Sequence, residues 1–317
     1  VSATVMNNIV GTNMSGTAII GNVYNGILVT APGQIAIRNN LISGQGENGI
    51  NLDGKSTATV TICGNTIGTD VAGTLRLGNG GNGIFSQDAN LVVGAGMSCE
   101  GNLISGNSRT GIVAQGNGFV TGLVQGNKIG VDASGQLPMG NGGSGMWSVG
   151  VQLTFGGPAP QDGNLVGTNL EHGLLISATN YALVQNNKFG TNVDGTIAFM
   201  NNWAGISLNR TRNAEIRDNL VSGNKNEGIV LEYGSEYNTI QNNKIGTDLS
   251  GGATLGNGRT GVGCWAGANN NSIVHNLISG NGGHGIMLCG YGNVVKGNHI
   301  GTDATGTAVL ANTYNGI

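Results

Sequence analysis

Charge is what this 317-residue sequence has least of. Asp, Glu, Lys and Arg together make up 9% of it, and the formal net charge is −3. The 13 Lys and Arg residues form no cluster, so no electrostatic nucleic-acid site is expected. No apolar run reaches the length a spanning helix needs, so no membrane insertion is expected, and no signal-peptide pattern opens the chain. Patterns of the H-x-x-x-H, C-x-x-C and nucleophile-elbow kinds are missing too, and no metal or cofactor is expected. Because the chain starts at Val1 without Met, it reads as a processed or excised piece of a longer protein.

Turn-formers fill the space that charge leaves. Gly accounts for 61 residues and Asn for more than forty, yet 38% of the chain is hydrophobic, which argues against disorder. Gly and Asn this dense, mixed with Ile, Leu and Val, predict many short strands separated by tight turns. The length suits two compact domains, but a repeat protein grows along one axis and escapes that expectation.

Two related units alternate without exception. The long unit, N-x-I-G-T-D-x-x-G-T-x-x-x-G-N-x-x-x-G-I, starts at Asn8, Asn65, Asn127, Asn187, Asn243 and Asn298 and closes nineteen positions later. The short unit, N-L-I-S-G-N-x-x-x-G-I, starts at Asn40, Asn102, Asn164, Asn219 and Asn276 and closes ten positions later. After each closing apolar residue alternate positions are apolar, as in a half-buried strand. A second strand ends three residues before most of the opening Asn residues, for example at Val5, Ile37, Ile62 and Val124. Units repeating in one direction cannot be hairpins, so they are expected to stack in parallel, one coil per unit, about 4.8 Å apart. The fold class is therefore all-β, a right-handed parallel β-helix solenoid of about eleven coils in a two-coil super-repeat. Its eleven opening Asn residues would form a ladder of amide side chains.

With these units in view, the sequence resembles the pectate-lyase-like right-handed parallel β-helix superfamily over its whole length. Segments such as Gly68-Thr69-Asp70 to Gly73-Thr74 and Gly301-Thr302-Asp303 to Gly306-Thr307 look like repeats of large bacterial surface and secreted proteins. The resemblance implies the fold, a single β-helix domain over residues 1–317, and an extracellular or cell-surface location. It implies no one activity, because the superfamily holds lyases, hydrolases, epimerases, phage tailspikes and adhesins.

The nine extra residues of each long unit should form a loop, and successive loops should line one edge two coils apart. Thr12, Thr69, Thr191, Thr247 and Thr302 recur there, beside Asp70, Asp132, Asp248 and Asp303 or Asn13 and Asn192. The row suggests a Ca²⁺ or ice-binding array. Side chains bonding their own loop backbone explain it better, since one carboxylate per loop is thin for Ca²⁺ and Val131 breaks the Thr row.

Polysaccharide hydrolysis needs two carboxylates about 5–9.5 Å apart. No outward column carries acids on adjacent coils, including the column two before the opening Asn, to which Cys63, Glu100 and Asp162 are assigned. Two constellations remain. Asp53 and Lys55 precede a coil carrying Asp88. Arg210, Arg212, Glu232, Tyr233, Glu236 and Trp265 fall on three successive coils, as a sugar or uronate site or as a solvated salt-bridge patch. Glu232, Arg210, Asp53 and Asp88 are thus the catalytic candidates, and Phe85, Trp147, Tyr233, Trp265 and Arg212 the ligand-binding ones. Phe85, Val113, Trp147, Leu175 and Val230 form an apolar outward column, either a contact surface or a face covered by loops or a neighbouring chain. His172, Glu227 and His284 share a position in short coils and read as turn residues.

The four Cys residues fall near one another in two pairs, Cys63 with Cys99 and Cys264 with Cys289. Counting strand parity turns the side chains of each pair apart, so four free thiols are expected. A structural or adhesive segment of an exported bacterial protein, binding polysaccharide, is the leading reading. A polysaccharide lyase, glycoside hydrolase or epimerase is the alternative, and a self-associating fibre or phage tailspike a third.

Overall fold

The computed structural model describes residues 2–53, 59–94, 99–265 and 267–317, and all their regular elements but one 3-10 turn, Pro160–Asp162, are strands. The strands form three sheets. Sheet A has eleven, beginning with Ser2–Met6, Gln34–Arg38 and Thr59–Cys63. Sheet B has eleven strands of two residues, beginning with Ile9–Val10, Leu41–Ile42 and Thr66–Ile67. Sheet C has ten, beginning with Ile27–Val29, Ile50–Asp53 and Ile84–Gln87. Every strand pairs in parallel with its counterparts one coil away. The chain visits A, B and C in turn and returns to A one rung along, which makes a parallel β-helix. Crossovers between parallel strands of one sheet are right-handed almost without exception.

Strand parity aims two apolar columns of sheets A and C and one of sheet B into the bore. Ile37, Ile62 and Val124 on sheet A, Ile42, Ile67 and Ile104 on sheet B, and Ile50, Ile84 and Ile112 on sheet C are fully buried, in one continuous core. At every A-to-B turn the opening Asn is present as expected. Each Nδ2 from Asn8 to Asn276 donates to the Oδ1 of the next ladder residue at 2.9–3.0 Å. A second ladder, not foreseen, joins the second Asn of successive units after sheet B. There the Nδ2 atoms of Asn79, Asn107, Asn141 and Asn169 donate along the stack at 2.8–3.0 Å.

The two-coil alternation has a steric reason. Each long loop folds over the next short coil and covers its outward leucine: Leu41, Leu103, Leu165, Leu220 and Leu277 are buried although they face away from the bore. The loop glycine makes this approach feasible. Gly73 has φ +69°, and a Cβ there would lie 2.6 Å from Leu103. Successive loops also touch, Val71 N–H donating to Gly16 O and Ala133 N–H to Gly73 O. They form a continuous roof over sheet B rather than separate projections. Long coils place Lys128, Lys188 and Lys244 at the leucine position, and each ammonium donates to a carbonyl of its own loop.

Three parity assignments need correction. Cys63 and Cys99 are joined in a disulfide, not free. Cys99, Glu100 and Asp162 do not belong to strands at all. Sheet A ends at Gly94 and Gly156 in these coils, in register with Gln125 and Gln185, and six extra residues precede Asn102 and Asn164. Parity counted back from the Asn therefore fails across each insertion. Cys264 and Cys289 are free, one buried and one exposed, as parity requires.

Candidate functional site

The sheet C strands carry Asp53, Phe85, Val113, Trp147, Leu175 and Glu232, while Arg210, Arg212, Tyr233, Glu236, Trp265 and Asp88 follow their ends. Phe85, Val113, Trp147 and Leu175 are consecutive partners in the ladder on the outer face of this sheet. Val113 is buried between its neighbours, Phe85 is half-buried and Trp147 is 38% exposed. The long loops lie over sheet B, so they leave this face open. Beside Phe85 is a cavity of about 380 Å³, also lined by Glu47, Asn51 and Arg109. Inside it Asn51 Oδ1 is buried without a partner.

Further along the same face the second constellation divides. Arg212 and Glu236 form an ion pair of 3.0 Å, so this part is a salt bridge. Glu232 sits in the ladder between Asn209 and the coil of Trp265, and no described cation bonds it. Burial first, and the nearby Glu227 second, push its carboxyl above the usual range. Arg210 meets Glu232 only through the backbone, its N–H donating to Glu232 O at 3.3 Å. Tyr233 is 62% exposed, and the Trp265 indole lies against Gly263. His172 packs edge-on against Trp203 with ring centroids 5.0 Å apart.

The other catalytic candidates do not come together. Asp53 is paired in register with Gln87, and Asp88 occupies the turn beyond at φ 56°. Neither carboxylate has a hydrogen-bond partner among the described residues, and Lys55 lies outside them.

The loop acids are committed to their own backbone. Asp70 Oδ1 accepts from the N–H groups of Thr74 and Leu75, and Asp132, Asn192, Asp248 and Asp303 repeat the arrangement. At Asp303 the Ala308 N–H, followed by the Thr305 hydroxyl, holds the carboxyl below its usual range. The recurring Thr positions, with Val131 among them, close each loop by an antiparallel bridge. The row is thus a turn device.

One concavity was not anticipated. A groove of about 650 Å³ runs along the outer face of sheet A, across strands from Thr59–Cys63 to Glu215–Arg217. The outward residues four before the Asn, obscured by the insertions at two coils, are the sequence signal that marks it. Its one carboxylate, Glu215, is paired with Arg217 at 2.9 Å and accepts from Gln241 Nε2 at 2.7 Å.

Comparison with known proteins follows the architecture. Two solved structures align with this chain at 14% identity. A periplasmic alginate epimerase covers 86% of this chain and 70% of its own, with TM-score 0.49. The A-module of a mannuronan C-5 epimerase from Azotobacter vinelandii covers 100% of this chain and 90% of its own, with TM-score 0.43. No curated protein matches the sequence. The family described as "right handed beta helix region" matches residues 77–245, more than half of the chain. This chain belongs to the right-handed β-helix family.

Proposed function

We propose that this chain is a glycan-binding β-helix segment of an exported bacterial protein, with an adhesive or structural role at the cell surface. The observation that carries the reading is the Phe85–Val113–Trp147 stripe on the open face of sheet C. Its two aromatic rings stand two coils apart, about 9.6 Å, so alternate sugars of an extended chain can each meet a ring. The neighbouring cavity supplies Glu47 and the unpartnered Asn51 carbonyl to accept from hydroxyl groups, and Arg109 to donate to hydroxyl or carboxylate groups. The Cys63–Cys99 disulfide supports export, since such bonds persist in oxidising compartments. Affinity electrophoresis through a panel of neutral and uronate polysaccharides tests the reading. At least one should retard the protein, and Trp147→Ala should weaken retention about tenfold, as loss of one anchoring ring does. Retention by none, or retention indifferent to Trp147 and Phe85, rejects it.

The raised carboxyl of Glu232 favours a second reading, a polysaccharide lyase, hydrolase or epimerase in which Glu232 exchanges a proton with the substrate. Arg210 would then hold substrate. Turnover of any polysaccharide on the panel that Glu232→Gln abolishes would replace the binding reading with this one.

A further inference from the structure

We propose that the outer face of sheet A is a second carbohydrate-binding surface, built for a neutral, extended glycan lying along the helix axis. The proposal does not depend on the sheet C site. The groove crosses six successive strands of sheet A, a run of about 24 Å at the parallel-strand spacing. Its floor is the half-buried column Val92, Leu123, Thr154 and Leu183, aliphatic but for one threonine. Thr121, Gln152 and the 61% exposed Tyr181 line the same groove with hydroxyl, amide and ring.

Two features of the groove determine what fits it. Its backbone N–H and C=O groups are engaged between coils in the sheet ladder, so a peptide has no sheet edge here to extend. Binding must come from side chains. Among the described residues that line the groove the single carboxylate, Glu215, is already bonded to Arg217 and Gln241, which leaves none of them a free charge for an ionic chain. Aliphatic floor, amides, hydroxyls and one open aromatic ring suit the apolar ring faces and hydroxyls of neutral sugars.

The insertions before Asn102 and Asn164 follow the sheet A strands that end at Gly94 and Gly156. The Cys63–Cys99 disulfide fastens the first to an outward position of sheet A. The second meets the neighbouring coil, Gly126 N–H donating to Asp162 O at 2.9 Å.

Isothermal titration with cellohexaose, mannohexaose and maltohexaose, with hexagalacturonate as the charged comparator, tests the proposal on the intact chain. At least one neutral hexasaccharide should bind, at least tenfold more weakly to Leu123→Arg and Tyr181→Ala, and unchanged to Trp147→Ala. Tyr181→Ala decides alone if Leu123→Arg lowers the melting temperature. The proposal falls if no neutral hexasaccharide binds, if hexagalacturonate binds more tightly at this face, or if only Trp147→Ala weakens binding. It also falls if sedimentation shows a dimer that Leu123→Arg dissociates. Loss of sheet C binding alone leaves this surface intact, so the two proposals fail separately.

Discussion

Asn187 shows what one amide contributes to this fold. Its Nδ2 donates to Asn219 Oδ1, Phe155 O and Gln185 O, while its Oδ1 accepts from Asn164. Asn187→Ala leaves buried carbonyls unpartnered and should destabilise the chain by about 3 kcal/mol in urea unfolding, more than Asn8→Ala at the exposed rung. Glycine positions separate in the same way. Gly73→Ala drives a Cβ into Leu103 and Ala133, whereas Gly118→Ala meets nothing within 4 Å. The first should cost about 2–3 kcal/mol and the second about 1, from its positive φ alone. Equal losses would contradict the roof contact. His172 supplies a pH signature, since burial against Trp203 pushes its pKa down to about 4. As pH falls below about 6.5 the unfolded chain takes up a proton that the native His172 refuses. Stability is therefore complete above that pH and declines towards pH 4, by up to about 3 kcal/mol. His172→Phe should flatten that part of the stability curve, and an unchanged slope would assign it elsewhere.

Across two adjacent coils, the long loop of one and the sheet B strand of the next act as one element. Leu103 lies under the loop carrying Gly73, while the equivalent Lys128 of the next long coil extends to its own loop carbonyl. Leu103→Lys should thus destabilise by about 2–3 kcal/mol, because a charge is forced under a roof, and Lys128→Leu by under 1. Chemical denaturation of the two variants checks this, and a reversed order would show that the loops do not cover the leucine. The leucine of the short motif, against a variable position in the long one, was plain in the two motifs. Its cause was not, because it depends on a loop reaching the following coil. The insertions before Asn102 and Asn164 were less legible still: six added residues preserve the downstream motif while removing Cys99, Glu100 and Asp162 from any strand. The same shift concealed the sheet A groove.

Across the whole molecule each coil contacts its neighbours, so a local defect should spread only a few coils. Hydrogen exchange of Asn187→Ala should show lost protection concentrated around that coil. The Cys63–Cys99 bond closes 36 residues of sequence separation. Its reduction should lower stability by about 3–4 kcal/mol on the chain-entropy account, and non-reducing peptide mapping should find Cys264 and Cys289 free. A Cys264–Cys289 link would contradict the structure.

Sequence alone determined the β-helix, its eleven-rung Asn ladder and the direction of most strand side chains, because stacking one coil on the next turns spacing along the chain into position in space. Only the tertiary structure decided what depends on contacts away from that register. These are the roof of loops over sheet B, the disulfide between an insertion and a strand, the pairing of Arg212 with Glu236 rather than Glu232, and the groove on sheet A. Periodicity carries residue direction through regular coils. It carries none across an insertion or a corner, where loop length and side-chain reach decide which groups meet.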